Sequence, residues 1–199
     1  MHFIVKHPLA DGSTPIDEED AGKLRIRIST MGELNRFETQ NIIEARVWAF
    51  DSRTVKNKNP IDESYVRELH KRMFGKVWKW AGVYRNKELN IGCDPAYIRP
   101  EIRKLLDDTQ YWLAHNTFLV DEVAIRLHHR LVSKIHGFPN GNGRHARMLA
   151  DVIAVKYGQP EFTWGKANLG EARAQYLTAL RAMDGDPNNV QPLLQFARL

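Results

Sequence analysis

The sequence predicts a mainly α-helical domain with one small β element, and three observations lead to that fold class. Beyond residue 30, apolar side chains recur with helical spacing through most of the chain. Polar, proline-containing stretches such as 51–60 and 139–143 separate these periodic segments. Only residues 76–100 combine aromatic and β-branched residues with several glycines and prolines, which favours extended structure with a small hairpin at 86–90.

The predicted helices follow one another along the chain, and the first has a recognisable start. Thr30 and Glu33 have the spacing of a capping box. Asp62 is positioned to cap the second helix. A largely apolar helix at 142–157 is expected to be central, and residues 23–28 fit a short strand. Further helices are predicted at 101–115, 119–135 and 170–185 and near the C-terminus.

Composition limits the class of protein. The chain has 199 residues, 43% of them hydrophobic, which predicts one domain with a sizeable core. The single cysteine, Cys93, excludes an internal disulfide and fits a cytoplasmic location. No apolar run approaches the length of a membrane span, so no membrane partner is predicted. The net charge of +5 fits an anionic partner and, equally, a role in solubility alone.

The segment "IHGFPNGNGRHAR", at 135–147, concentrates the residue types of a phosphate-binding site. Its glycines let the backbone adopt positive φ and approach a ligand closely. Free N–H groups in such a loop, together with the start of the next helix, bind anions. Arg144 and Arg147 lie three positions apart on one side of that helix, and guanidinium groups bind phosphate oxygens with two hydrogen bonds. The alternative is a glycine-rich helix start with solvated arginines.

His136 precedes this loop and is a candidate general base. Its ordinary pKa lets it accept a proton at neutral pH, here from a hydroxyl that attacks phosphorus. The alternative is a structural histidine at a helix end. Together with His128 and His129 it also raises the question of a metal cluster. Adjacent histidines point to different faces of a helix and no matching carboxylate or cysteine is present, so a zinc site is not predicted.

The same segment resembles the signature of the Fic (filamentation induced by cAMP) family, His-x-Phe-x-(Asp/Glu)-Gly-Asn-Gly-Arg-x-x-Arg. Further similarity lies in "WAGVYR", "LHHRLVSKIH" and "YLTALRAMDGD", so the resemblance covers 51–199 as a Fic core, with 1–50 as an N-terminal extension. The whole chain, including "GELNRFETQNI", is similar to a Fic subgroup called mobile mystery protein B, found on mobile elements. The fold that this implies is a helical bundle with a β-hairpin flap next to the active site.

The resemblance implies a protein adenylyltransferase, which moves AMP from ATP to a hydroxyl side chain of a target protein. His136 is then the base, Arg144 and Arg147 hold the outer phosphates, and Phe138 anchors the loop in the core. The backbone of three residues forms the anion hole: Gly141, Asn142 and Gly143. The hairpin corresponds to the family's flap, which binds the target in extended form by strand addition unless it is a mere connector. The expected flap residues are Lys87, Glu88, Leu89, Asn90 and Ile91.

Two positions qualify this implication. The family's acidic ligand for Mg²⁺ is Asn140 here, a neutral and weaker ligand, so transfer of phosphate or UMP, or nucleotide binding with little catalysis, stays open. The inhibitory pattern (Ser/Thr)-x-x-x-Glu-(Gly/Asn) is matched best by "STMGEL", which would place Glu33 against Arg147, although Leu34 replaces Gly or Asn. A plain capping box explains Glu33 equally well. Without an inhibitory Glu33, an antitoxin-like partner is expected, such as a small helix-turn-helix regulator.

One alternative belongs to a different class: a nucleic-acid-binding module that uses the basic residues. Those residues are spread along the chain, and no DNA- or RNA-binding motif is present. The sequence therefore argues against nucleic acid as the partner.

Overall fold

The computed structural model describes residues 22–28, 30–165 and 172–199 and is built mainly from helices, which confirms the predicted class. None of the helices that it describes combines the length and apolar character needed to cross a bilayer. A 3₁₀ turn at Pro95–Tyr97 precedes α4, and a π-helical turn at Arg130–Ile135 extends α5. The α-helices are α1 (Met31–Ala49), α2 (Ser52–Asn57), α3 (Glu63–Phe74), α4 (Ile98–Ala114), α5 (Val120–His129), α6 (Asn142–Lys156), α7 (Ala172–Gly185) and α8 (Gln191–Arg198).

Helix α1 begins at the predicted capping box. Thr30 Oγ1 accepts a hydrogen bond from the Glu33 N–H at 3.1 Å, and Glu33 Oε2 accepts one from the Thr30 N–H at 3.2 Å. Two donors at the helix start are thereby satisfied, and the capping box is confirmed. Other predictions for this region and for the start of α7 involve residues 1–21, Ser29 and 170–171, which lie outside the described residues.

Helix α6 lies at the centre of the core, as its apolar character predicted. It packs against α5, α3 and α2. Because α6 starts at the predicted phosphate loop, the burial of its apolar face fixes the position of that loop. Its fully buried residues include Ala146, Leu149, Ala150, Ile153 and Ala154.

Helix α1 shares this core with the helices that follow it. Leu34 and Ala45 are buried, and the helix packs along α3. Between them, Asn41 Nδ2 donates to Arg72 O at 2.7 Å and Asn41 Oδ1 accepts from the Lys76 N–H at 3.0 Å. The described part of the N-terminal extension is therefore packed into the main domain, and the boundary at residue 50 stays a prediction.

The predicted β structure is mostly absent from the described residues. One isolated antiparallel bridge joins Leu24 to Trp78. Residues 22–28 otherwise form no part of the strand that was predicted at 23–28. Residues 84–94 contain no strand, so the predicted hairpin flap is not confirmed.

A buried carboxyl group connects the second half of α6 to the segment after it. Asp151 is 6% exposed, and its Oδ1 accepts hydrogen bonds from Trp164 Nε1 at 2.9 Å and from the Phe162 N–H at 3.2 Å. Burial raises the pKa of Asp151 to about 7, although both hydrogen bonds oppose the shift.

We expect Asp151→Asn to stabilise the fold at about pH 8 by on the order of 1–4 kcal/mol and to have little effect at about pH 4. The folded-state pKa of Asp151 lies above the unfolded value of 3.8, so wild-type protein loses stability as the pH rises between these two values. Asparagine keeps the acceptor oxygen and does not ionise. Urea denaturation of both proteins across this pH range tests the prediction, and parallel stability curves would contradict it.

Candidate active site

The chain turns sharply after α5, and this turn presents His136. The π-helical turn closes with a hydrogen bond from the His136 N–H to Leu131 O, five residues back, at 3.0 Å. Single π-helical turns of this kind are frequent at functional sites. His136 has φ 47° and ψ 56°, a left-handed conformation that costs a non-glycine residue about 1–3 kcal/mol. The surrounding contacts must therefore hold this residue in place.

The ring of His136 is held in the tautomer that a general base requires. Its Nδ1 lies 2.8 Å from Val132 O, and because a carbonyl only accepts, Nδ1 carries the proton and donates it. Nε2 therefore keeps its lone pair. Burial lowers the pKa of His136 below its usual 6.5, and the bond to Val132 opposes this only in part. At neutral pH the ring is uncharged and ready to accept a proton.

A buried guanidinium joins the backbone of the motif to the segment at 86–93. Arg85 is 5% exposed, and its own N–H donates to Gly137 O at 2.9 Å. One of its side-chain hydrogen bonds runs from Nε to His136 O at 2.7 Å. Arg85 thus holds both the left-handed residue and the loop beside it. The carbonyl oxygens that accept from its guanidinium belong to Lys87, Cys93, Ile135 and His136.

The segment predicted as a flap lies next to His136 without forming a hairpin. Gly92 has φ 94°, and a Cβ atom there would lie 2.6 Å from His136 Cβ, so only glycine allows this approach. The N–H of Cys93 donates to Ile135 O at 3.4 Å. Backbone groups at the ends of the segment bond to Arg85 and to the motif rather than to a partner strand, which is why no ladder forms. Of the predicted flap residues, Leu89 is half-buried and the rest are exposed: Lys87, Glu88, Asn90 and Ile91.

The loop before α6 is held by Asn142 and His70. The Phe138 N–H donates to Asn142 Oδ1 at 2.9 Å, and Asn142 Nδ2 donates to Phe138 O at 2.7 Å. The His70 ring stacks on the ring of buried Phe138, with centroids 3.7 Å apart, and its Nε2 donates to Asn140 O at 3.1 Å. His70 Nδ1 accepts from the Gly82 N–H at 3.0 Å, and burial holds the pKa of His70 well below 6.5. A neutral histidine thus supports the loop.

Gly141 makes the turn from this loop into α6. It has φ 79°, and a Cβ atom there would lie 2.5 Å from the ring of Phe74, so the position requires glycine. Its N–H donates to Asn140 Oδ1 at 2.6 Å. In this structure the Gly141 N–H is therefore occupied, and its predicted place in the anion hole stays a prediction.

The first N–H groups of α6 are open in the sense that no described residue accepts a hydrogen bond from them. The first turn closes with the His145 N–H donating to Gly141 O at 2.9 Å. The described part of the chain offers no acceptor to the N–H groups of Asn142, Gly143 and Arg144. A Cβ atom at Gly143 would meet nothing within 4 Å. Helix-end donors without an acceptor in the protein suit an anion such as phosphate.

The two motif arginines lie in the first two turns of α6 and rest on aromatic rings. The guanidinium carbon of Arg144 is 4.9 Å from the ring centroid of Phe74, and that of Arg147 is 5.5 Å from the ring centroid of Tyr176. Arg144 Nη1 also donates to Glu38 Oε2 at 2.7 Å. The structure thus brings both arginines to the same end of α6 as the open N–H groups.

The comparisons with known proteins agree with this geometry. Residues 60–154 match the family model described as Fic/DOC family. The chain carries a Fic/DOC domain. It is 29% identical over 133 residues to protein adenylyltransferase fic-1 of Caenorhabditis elegans, covering 63% of this chain and 24% of that protein. It is 30% identical over 152 residues to protein adenylyltransferase Fic of Culex quinquefasciatus, and this match covers 72% of this chain and 28% of that protein. The chain thus spans only 24–28% of the length of these relatives.

A solved structure shows the Fic fold over nearly the whole chain. The crystal structure of the BepC protein of Bartonella tribocorum, with bound AMPPNP, superposes with a TM-score of 0.64 at 18% identity. The match covers 96% of this chain and 93% of that one. The resemblance to the family is therefore confirmed at the level of the domain and its fold, and the narrower subgroup stays a prediction.

His128 and His129, which precede the Fic motif, have partners within the fold. His128 Nε2 lies 2.9 Å from the hydroxyl of Tyr176, and burial lowers the pKa of His128 to about 3. His129 Nε2 lies 3.0 Å from Asp184 Oδ1. No group of three or more His, Cys, Asp or Glu residues in the described ranges has the arrangement of a metal site.

Asn140, at the Fic-motif position that is usually acidic, provides only a weak ligand for a magnesium ion, and its binding of Mg²⁺ stays a prediction. Asn140 offers one neutral oxygen, and that oxygen already accepts the Gly141 N–H. Proteins bind Mg²⁺ with one or two carboxylates together with substrate phosphates and water. The Fic domain has no such carboxylate at this position, so no chemical step below depends on a metal.

A carboxylate that was not predicted, that of Glu38, pairs with one of the Fic-motif arginines, Arg144. Glu33 accepts the Thr30 N–H in the cap of α1, whereas the buried Glu38 bonds to Arg144. Five positions along a helix correspond to about 140° around its axis, so the two glutamates face different directions. The inhibitory role of Glu33 against Arg147 stays a prediction.

Three supporting residues of the Fic site were missed by the sequence analysis: His70, Arg85 and Glu38. Their partners are far along the chain, since the bond from Arg85 to His136 spans 51 positions and that from Arg144 to Glu38 spans 106. One signal was available for Glu38, because it occupies the apolar stripe of α1 between Leu34 and Ala45. A charged residue on a buried stripe needs a partner, and an unmatched arginine in the motif is the natural one.

Proposed function

We propose that this protein is a Fic-type adenylyltransferase that transfers AMP from ATP to a hydroxyl side chain of a target protein. The observation that carries the proposal is His136, a neutral base in the loop that leads to the unpaired N–H groups at the start of α6. Two further findings support it. The curated relatives are named protein adenylyltransferases, and the similar structure of BepC contains bound AMPPNP.

In the proposed reaction, the target hydroxyl lies between His136 Nε2 and the α-phosphorus of ATP. Nε2 accepts the hydroxyl proton while the oxygen forms a bond to phosphorus, and the bond from that phosphorus to the bridging oxygen of pyrophosphate breaks. The products are the AMP ester of the target, pyrophosphate and protonated His136, which returns its proton to water. The N–H groups of α6 offset the phosphate charge, and Arg144 and Arg147 hold the leaving phosphates.

The intact mass of the purified protein after incubation with ATP and Mg²⁺ tests this proposal, because self-modification requires no known target. An added AMP group that is missing in His136→Ala would support AMP transfer by this site. A larger fraction of AMP-modified protein in Glu33→Gly would support the inhibitory role of Glu33. An added phosphate, or a UMP group formed from UTP in preference to AMP, would replace adenylylation with another transfer on the same scaffold. Failure of the protein to bind ATP would refute the proposal.

The rate of AMP transfer is expected to depend on pH through His136. Only the neutral ring accepts a proton, and burial places its pKa below 6.5. We therefore expect kcat/KM to be flat at neutral and mildly alkaline pH and to fall only at a pH below the ordinary pKa of histidine, where the ring becomes protonated. The pH profile of the initial rate measures this. An acidic limb centred above the ordinary pKa of histidine would contradict the effect of burial.

Asn140→Asp is expected to lower the magnesium concentration needed for half-maximal activity. Aspartate keeps the acceptor for the Gly141 N–H and adds the negative charge that Mg²⁺ prefers in a ligand. A magnesium titration of the transfer rate measures the change, with Asn140→Ala as the variant that removes the oxygen. An unchanged titration in Asn140→Asp would show that position 140 does not bind the metal.

We also propose the finer assignments that the resemblance suggests. The target binds in extended form along the exposed residues of 87–91, beside His136. The protein belongs to the mobile mystery protein B subgroup, acts in the cytoplasm and has a small helix-turn-helix regulator as an antitoxin-like partner. Neither a membrane nor a nucleic acid is part of this proposal.

A further inference from the structure

The side chain of Arg144 is held from α1 by a buried carboxylate. Glu38 is 4% exposed, and both of its oxygens are used. Oε1 accepts a hydrogen bond from Trp78 Nε1, and Oε2 accepts one from Arg144 Nη1, each at 2.7 Å. A carboxylate is tolerated in such a buried position when it has donors for both oxygens and a cation beside it. Glu38 therefore connects α1 to the start of α6.

Arg144 nevertheless keeps donors for a ligand. Its side chain is 36% exposed, and within the described residues only Nη1 takes part in a hydrogen bond. A guanidinium has five N–H donors, so most of them are available. One edge of the group is held by Glu38, and one face rests on the ring of Phe74. This arrangement orders the guanidinium without using the groups that bind phosphate.

The support for Arg144 is itself rigid. Trp78 is 1% exposed, so withdrawal of Glu38 would leave a buried indole N–H without its acceptor. One turn after Glu38, Asn41 attaches α1 to Arg72 O and to the Lys76 N–H. These contacts fix the carboxylate of Glu38 in position, which favours a lasting support for Arg144 over a contact that breaks when a nucleotide binds.

We propose that Glu38 is a positioning residue that orders Arg144 for the outer phosphates of ATP, a role that rests on the proposed use of Arg144 in nucleotide binding. A solvated arginine side chain has many conformations, and a ligand that orders it must overcome that entropy. Glu38 removes this cost before the nucleotide binds. Loss of Glu38 is therefore expected to weaken ATP binding. Loss of an inhibitory glutamate would have the opposite effect.

The test begins with Glu38→Gln, which keeps the shape of the side chain but cannot accept from both Trp78 and Arg144. We expect the Kd for ATP, measured by titration calorimetry, to rise roughly two- to tenfold. The KM for ATP should rise similarly, with a smaller change in kcat. In the Arg144→Ala background the same substitution should change the Kd no further, because Glu38 acts through Arg144. Glu44→Gln is the matched control, since Glu44 lies on the same helix in an exposed ion pair with Lys76.

Tighter ATP binding or faster transfer in Glu38→Gln would overturn the inference and make Glu38 a restraint on Arg144. An equal loss of binding in the Arg144→Ala background would reduce Glu38 to a structural residue. If Glu38→Gln does not fold, Trp78→Phe removes one donor to Glu38 and should raise the Kd. Trp80→Phe should not, because Trp80 Nε1 has no partner among the described residues. Wild-type protein that binds no ATP would refute the proposed function, whereas ATP binding insensitive to position 38 would refute only the role of Glu38.

Discussion

Replacing His136 with alanine is expected to lower the rate of AMP transfer by about 10²–10⁴-fold or more, with ATP binding and the fold retained. Nε2 of His136 is the acceptor for the hydroxyl proton in the proposed reaction, and alanine offers none. The ring itself makes only one hydrogen bond among the described residues, to Val132 O, so its loss removes little of the support of the loop. Intact-mass analysis of self-modification measures the rate, and calorimetry with ATP measures binding.

His115→Ala is the matched control for this variant. His115 also bonds through Nδ1 to the carbonyl four residues back, that of Tyr111, at 3.0 Å, but it is exposed and lies outside the motif. We expect normal transfer from this control. Normal transfer by His136→Ala would refute the assignment of the base. Joint loss of ATP binding and transfer would show that His136 instead maintains the shape of the site.

Replacing Arg85 with methionine is expected to lower the free energy of unfolding by on the order of 3–5 kcal/mol and to abolish transfer even where the protein is folded. The variant removes the guanidinium, which donates hydrogen bonds to four buried or partly buried carbonyl groups. Methionine fills the space with an apolar side chain of similar length. Two of those carbonyls, of Ile135 and His136, lie at the left-handed turn that orients the base. Urea denaturation gives the stability, and transfer is measured at a temperature where the variant remains folded.

Arg67→Met serves as the comparison for Arg85→Met. Arg67 is also partly buried and lies over an aromatic ring, that of Tyr84, but its hydrogen bond in the structure is one from Nε to Gly82 O, at 3.0 Å. We expect a loss nearer 1 kcal/mol for this variant. Arg85→Met that is as stable as Arg67→Met, with normal transfer, would show that the buried guanidinium is not needed to orient the motif.

Local patterns predicted most of the helices, with one exception: the polar stretch 51–60 was interpreted as a separator between helices, but it contains α2 (Ser52–Asn57), whose start is capped by Asp51. The start of α1 could be read from Thr30 and Glu33 because a capping box is formed within four residues. The central position of α6 followed from its apolar residues. The roles of His136 and Arg144 could be inferred for the same reason, since the motif that holds both is contiguous in sequence, and these roles stay predictions.

The supporting contacts were not predictable because they join distant parts of the chain. Composition favoured a hairpin at 86–90. In the structure, however, the carbonyl groups of Lys87 and Cys93 accept hydrogen bonds from the guanidinium of Arg85 and not from a neighbouring strand. The ring of His70 beneath Phe138 is a similar case, with its hydrogen bond to Asn140 O spanning 70 positions. A single sequence carries no record of such pairs.

The π-helical turn at Arg130–Ile135 has a consequence for the alignment of related sequences. Such a turn contains one residue more than an α-helical turn of equal length. Chains that reach the same loop through an unbroken α-helix should therefore be one residue shorter between His129 and His136. A correct alignment would place a single-residue gap inside this turn, and a gap placed after it would pair the wrong residue with His136.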